Sequence, residues 1–168
     1  IPANAFKKIP SDAFKAITSE QTANMRSSST NNQCAALSAD QFSNIKADSL
    51  KQQGSQASTT GLQFGCSKTF NDDAVSSISS DQLKAIAPLA FANIPVNAFK
   101  KIPSDAFTTL TPQQTANMRS SSLLDLNQCA ALSAKQFSNI PVKSLKQGSS
   151  STGLQFGCSE KFNGNNND

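Results

Sequence analysis

An eight-residue period constrains this chain more than any other feature. Residues 94–110 read IPVNAFKK-IPSDAFTT-L, so that Ile94, Ile102 and Leu110 each open a similar octapeptide. The same text opens the chain, where Ile1, Ile9 and Ile17 start IPANAFKK, IPSDAFKA and ITSEQTAN. A unit this short cannot bury its apolar side alone and has to stack on copies of itself.

The octad has a physical reading. Its first position is aliphatic: Ile1, Ile9, Ile17, Leu37, Ile45, Ile78, Ile86, Ile94, Ile102, Leu110, Leu132 and Ile140. Its sixth is usually Phe or Leu: Phe6, Phe14, Phe42, Leu83, Phe91, Phe99, Phe107 and Phe137. Together these form the expected core ladder. In many copies position 2 is Pro, which keeps the preceding Ile out of the helical region. In others, positions 2 and 5 are Ser or Thr and Gln: Thr18/Gln21, Ser38/Gln41, Ser79/Gln82, Thr111/Gln114 and Ser133/Gln136. That pair is a capping box, in which the hydroxyl takes a backbone N–H and the amide reaches back to the cap. Asp12, Asp40, Asp81 and Asp105 follow at position 4, where a carboxylate complements a helix N-terminus.

Proline recurring near every eighth residue excludes one continuous helix. The expected fold is a repeat solenoid of octapeptide units, each an extended Ile or Leu followed by a short helical turn, with short strands. GLQFGC, where Gly61 and Gly65 bracket alternating Leu62 and Phe64, reads as one such strand. A β-solenoid, with Ile and Phe both pointing into a β-coil, is the alternative.

Two long units are nested over the octads. Residues 1–25 match 94–118 at an offset of 93, which becomes 95 at Cys34/Cys129 and 92 at Cys66/Cys158. Length changes therefore fall in the linkers while the octads keep their size. Residues 1–93 form the first unit: octads, linker, a Cys34–Cys66 loop and two connecting octads. Residues 94–168 form the second: octads, linker, a Cys129–Cys158 loop and a polar tail. The chain has no initiator Met and begins in phase with the octad, as a processed product or a segment of a longer polypeptide would.

The cysteines repeat with the units, Cys34 and Cys129 in NQCAALSA and Cys66 and Cys158 in GLQFGCS. One of each kind per unit pairs Cys34 with Cys66 and Cys129 with Cys158. Metal binding would need close ligand pairs with His, and the sequence has no His. Disulfides imply an oxidising, extracellular compartment. Charged residues make up only 15% of the chain, against roughly 25% in an average soluble domain. Ser, Thr, Asn and Gln fill the gap, giving the hydroxyl- and amide-rich surface of secreted and wall-associated proteins. Ser/Thr clusters at 27–30, 58–60, 120–122 and 149–152 are candidates for O-linked sugar. The net charge of +4 is mild and the lysines are scattered, which excludes a dense nucleic-acid stripe. No apolar run approaches the ~20 residues of a membrane span.

No catalytic constellation is legible. Without His there is no Ser-His or Cys-His pair, and no cofactor motif is present. Asn163, Asn165 and Asn167 have the 1-3-5 spacing of a calcium loop, but its sixth-place Gly and twelfth-place Glu are missing, so they read as a polar tail. Asn32 and Asn127 match only the N-x-Cys variant of the glycosylation acceptor. Arg26 and Arg119 occupy identical NMRSSS contexts and read as structural donors to loop carbonyls or as contacts to a partner.

The I-P-x-N/D-A-F runs resemble the I-P-x-x-A-F core of BspA-like leucine-rich repeats of microbial surface proteins. The resemblance covers the octads and implies an extracellular repeat protein used for adhesion or matrix building. The expected function is a non-enzymatic, extracellular structural protein that polymerises end to end into a fibre or a wall or matrix component. The alternative is a surface adhesin or polysaccharide-binding module. The opening octad lacks the neighbour IAPLAFAN that precedes its second copy, so another chain, or upstream sequence, is expected to cover Ile1 and Phe6; with Arg26 and Arg119 these are the candidate subunit contacts.

Overall fold

A proline or a capped Ser or Thr starts most of the helices. In the computed structural model, which describes residues 1–53, 59–121, 126–149, 152–155 and 158, all five capping boxes form. Each hydroxyl accepts the N–H of its Gln, and each Gln Oε1 accepts the N–H of the cap residue. Pro2, Pro10, Pro95, Pro103 and Pro141 occupy the same cap place with extended backbone. The helices are then four to six residues long and stop where the next Ile or Leu returns to an extended conformation, as at Ile17, Leu37, Ile86, Ile102, Leu110 and Leu132. Helices so short are not stable alone in water. They persist because each packs its buried face on a neighbouring row.

Five layers result. The first holds Ala3–Phe6, the 3₁₀ helix Ser11–Ala16 and Ser19–Ala23. The second holds Gln33–Ala36, Ala39–Ser43 and Ala47–Leu50; the third, Phe64–Ser67, Ser80–Ala85 and Pro88–Ala92. The fourth holds Val96–Lys101, the 3₁₀ helix Ser104–Thr109 and Pro112–Asn117, and the fifth Gln128–Ala131, Ala134–Ser138 and Val142–Leu145. Consecutive layers pack helix on helix, and one apolar cluster runs from Phe6 to Cys158. Edge-to-face ring pairs continue through it, Phe91 to Phe99 at 5.8 Å and Phe99 to Phe107 at 5.7 Å.

This corrects the expected fold class. About half of the chain is helical, and strand among the described residues is confined to two antiparallel two-residue pairs, Ser27–Ser28 with Asn31–Asn32 and Ser120–Ser121 with Leu126–Asn127. Neither a solenoid with short strands nor a β-solenoid describes it. The reason is local: caps and prolines turn most of each octad into helix, which uses most backbone N–H groups inside the octad and leaves few for a ladder between layers. GLQFGC is corrected in the same way. Gly61 makes a left-handed turn at φ +75° and hooks its N–H onto the Ser19 carbonyl, after which Phe64–Ser67 is helical. Leu62 is fully buried while Phe64 is 40% exposed, so the two do not share a strand face.

Most of the ladder lies in the core. Phe6, Phe14, Leu37, Phe42, Ile45, Ile78, Leu83, Ile86, Phe91, Ile94, Phe99, Ile102, Phe107, Leu110 and Ile140 are buried. Ile9, Ile17 and Leu132 are half-buried, and Ile1 and Phe137 are exposed. Both disulfides form, Cys34–Cys66 with Cα atoms 5.2 Å apart and Cys129–Cys158 at 5.3 Å. No described helix is long and apolar enough to cross a membrane.

Candidate functional site

Layers are joined by glutamine. Gln41 Nε2 donates to the carbonyls of Phe6 and Ile9, Gln82 to those of Phe42 and Ile45, and Gln114 to those of Leu83 and Ile86. Gln128 and Gln136 do the same to Phe91 and Ile94 and to Phe99 and Ile102. Gln33 reaches the Ile1 carbonyl at 2.6 Å. In the capping boxes one amide serves two layers at once: its oxygen closes its own helix start while its nitrogen satisfies helix-end carbonyls one layer back. A glutamate could cap but could not donate, and at these buried places it would be an unpaired anion. Sequence reasoning assigned only the capping half of this role. The available signal was that all five boxes carry Gln and none Glu.

Against this rule the first layer is anomalous. Gln21 caps its helix as Gln114 does, yet it is exposed and its Nε2 meets no acceptor among the described residues, whereas Gln114 is 1% exposed. The contrast extends along the layer. Ile1 is 71% exposed while Ile94, its counterpart, is wholly buried; Ala5 and Ala13 are exposed while Ala98 and Ala106 are buried. In the second unit the layer through Ile78, Leu83 and Phe91 covers this face. In the first, the same face is a groove of about 390 Å³ lined mainly by Ile1, Phe6, Ile9, Phe14, Ile17 and Met25.

Of the four residues expected as partner contacts, Ile1 and Phe6 line this groove. The arginines part company. Arg119 is half-buried and donates from Nη2 to Asn93 Oδ1 at 3.3 Å, while Arg26 is exposed and its guanidinium bonds to no described residue. Beside Ile1, Asn31 Nδ2 donates to the Ile1 carbonyl at 3.3 Å, and Asn31 Oδ1 is buried without a partner.

No group of three or more His, Cys, Asp or Glu among the described residues could hold a metal ion, and the cysteines are all in disulfides. Asn163, Asn165 and Asn167 lie outside the described residues. Asn32 and Asn127 are engaged as helix caps, accepting the N–H groups of Ala35 and Ala130. Two carboxyls sit below their usual range. Glu20 is held there chiefly by backbone hydrogen bonding at the helix start and then by Thr18, and Asp48 chiefly by the Lys51 ammonium at 2.6 Å. Both are solvent-facing and neither belongs to a reactive pair.

What these features define is a layered helical repeat protein whose first layer presents an apolar groove. Comparison with known proteins adds no name to that description: no family model, curated protein or solved structure matches the chain.

Proposed function

We propose that the chain is an extracellular structural protein that associates end to end with copies of itself, building a fibre or a wall or matrix component. The single observation behind this reading is the stacking of the octads: in four successive layers a buried glutamine donates to helix-end carbonyls of the layer before it, so that layers of one kind add onto one another. A repeat that grows in this way along the chain can grow in the same way between copies. Two disulfides favour an oxidising, secreted setting. The likeness of the I-P-x-x-A-F runs to surface repeat proteins points the same way. Sedimentation velocity over a concentration series, followed by electron microscopy, tests the reading. Growth into elongated particles is expected, and a monomer at every concentration would overturn it.

A polysaccharide-binding surface is the second reading. A groove of about 630 Å³ brings Lys51, Lys84, Gln52 and Gln113 together, with Asp48 paired to Lys51 at its edge. Glycan arrays at two salt concentrations test it: salt-sensitive retention of acidic glycans is expected, and uniform absence of binding would remove it.

A further inference from the structure

We propose that the groove beside Lys51 and Lys84 binds a carboxylate-bearing polysaccharide, with Lys84 as its anchoring cation and Asp48 as the group that limits its affinity. The inference rests on the polysaccharide-binding reading above and adds the chemical class of the polymer and the residues that set its strength.

Stacking puts the two cations in line. Lys51 and Lys84 hold the seventh place of their octads, each directly after a leucine, Leu50 or Leu83, that has no exposed surface. Their helices, Ala47–Leu50 and Ser80–Ala85, pack on one another. The buried leucines therefore fix where each lysine leaves the surface, one layer apart, and packed helices lie about 8–10 Å axis to axis. Charges offset in this way suit a polyanion with a carboxylate on successive units better than one small anion.

The rest of the groove suits sugar. Its floor includes the half-buried Ala87 and Pro88, a small apolar surface on which the C–H face of a pyranose ring can lie. Its rims carry amides. Gln113 is exposed, and its side chain bonds to no described residue. Gln52 is positioned through Gln63, whose Nε2 donates to the carbonyls of Thr60 and Gly61 and whose Oε1 accepts from Gln52 Nε2 at 3.2 Å. That leaves the Gln52 oxygen to accept a hydroxyl.

The lysines are unequal. Lys51 Nζ is paired with Asp48 at 2.6 Å, while Lys84 meets no carboxylate among the described residues. Asp48 carries the only carboxylate among the described residues lining the groove, where it occupies Lys51 and repels a polyanion. The chain itself replaces it once: Lys143 and Lys146 stand 95 residues after Asp48 and Lys51, so the second unit has a cation where the first has the carboxylate. A lysine is thus compatible with the helix start at this place.

Isothermal calorimetry with a galacturonate hexamer, and with a neutral galactose hexamer as control, is run on the full chain at low and at physiological salt. Salt-weakened binding of the acidic hexamer alone is expected. Lys84→Ala should weaken it about fivefold, and Asp48→Lys should tighten it by a similar factor. Lys100→Ala, which removes an exposed lysine outside the groove, should leave it unchanged. All three are surface changes, so their melting temperatures should stay close to the parent's. Equal losses in Lys84→Ala and Lys100→Ala, or a loss in neither, would overturn the groove assignment and leave the polysaccharide reading standing. An Asp48→Lys chain that binds no tighter than the parent would overturn the limiting role of Asp48. An oligoglutamate of the same length held as tightly as the acidic hexamer would overturn the sugar assignment. Failure of every acidic and neutral glycan to bind would overturn both the inference and the reading beneath it.

Discussion

Gln114 donates its Nε2 hydrogen to the carbonyl oxygen of Leu83, 2.8 Å away and 31 residues earlier in the chain. The same side chain accepts the Thr111 N–H through Oε1, so it ties the start of one helix to the end of another in the layer behind. Gln114→Glu keeps the cap, removes the donor and places an anion at a site 1% exposed. A loss of about 2–4 kcal/mol is expected in urea unfolding at pH 7, while Gln21→Glu at the open layer should change stability by less than about 0.5 kcal/mol.

Phe99 sits between Phe91 and Phe107 with no exposed surface. Phe99→Ala should cost about 3–5 kcal/mol, since the rings on both sides belong to proline-started helices held in place by their own packing. Phe6, its counterpart, borders the open groove, and Phe6→Ala should cost at least about 1 kcal/mol less. Equal losses in denaturant titrations would mean that the first layer is as tightly enclosed as the fourth.

The two disulfides close loops with sequence separations of 32 and 29 at equivalent positions of the two units. Replacing either pair with alanine should lower stability by similar amounts, about 3–4 kcal/mol each in the chain-entropy model. Thermal melts of the two double variants check this against the parent.

Gly61 holds φ at +75°, and a Cβ there would collide with the Lys51 carbonyl; Gly153 stands in the same relation to Lys146. Gly61→Ala is expected to destabilise by more than about 1 kcal/mol and to loosen the Gly61 N–H bond to Ser19. Amide exchange at residues 61 and 62 reads the second effect directly.

Glu20 and Asp48 ionise more readily in the folded chain than in the unfolded one. Their contribution is therefore present above the unfolded carboxylate range, near pH 4, and is lost as pH falls through the lowered folded values. Melting temperature should decline on acidification below about pH 4. Glu20→Gln combined with Asp48→Asn should flatten that decline.

Much of this architecture was legible in the residues. The capping boxes at Thr18, Ser38, Ser79, Thr111 and Ser133 depend on hydrogen bonds three residues apart, and such bonds are written in local spacing. The disulfide pairs followed from Cys34 and Cys66 recurring in copied contexts at Cys129 and Cys158. Burial of Phe42, Phe99 and Phe107 followed from the eight-residue period. The strand assigned to GLQFGC failed because alternation over Leu62 and Phe64 is too short to outweigh a left-handed glycine that redirects the chain into a helix.

By itself, then, the sequence determined where the capped and proline-started octad helices begin and which side chains are apolar, because those depend on neighbours within one octad. Tertiary structure alone decided that the Nε2 of Gln41, Gln82 and Gln114 would face a carbonyl rather than water. It alone left Ile1 in solvent while burying Ile94. Both outcomes turn on what lies one layer away, some 30 to 40 residues distant in the chain, and no spacing within an octad encodes whether that layer is present.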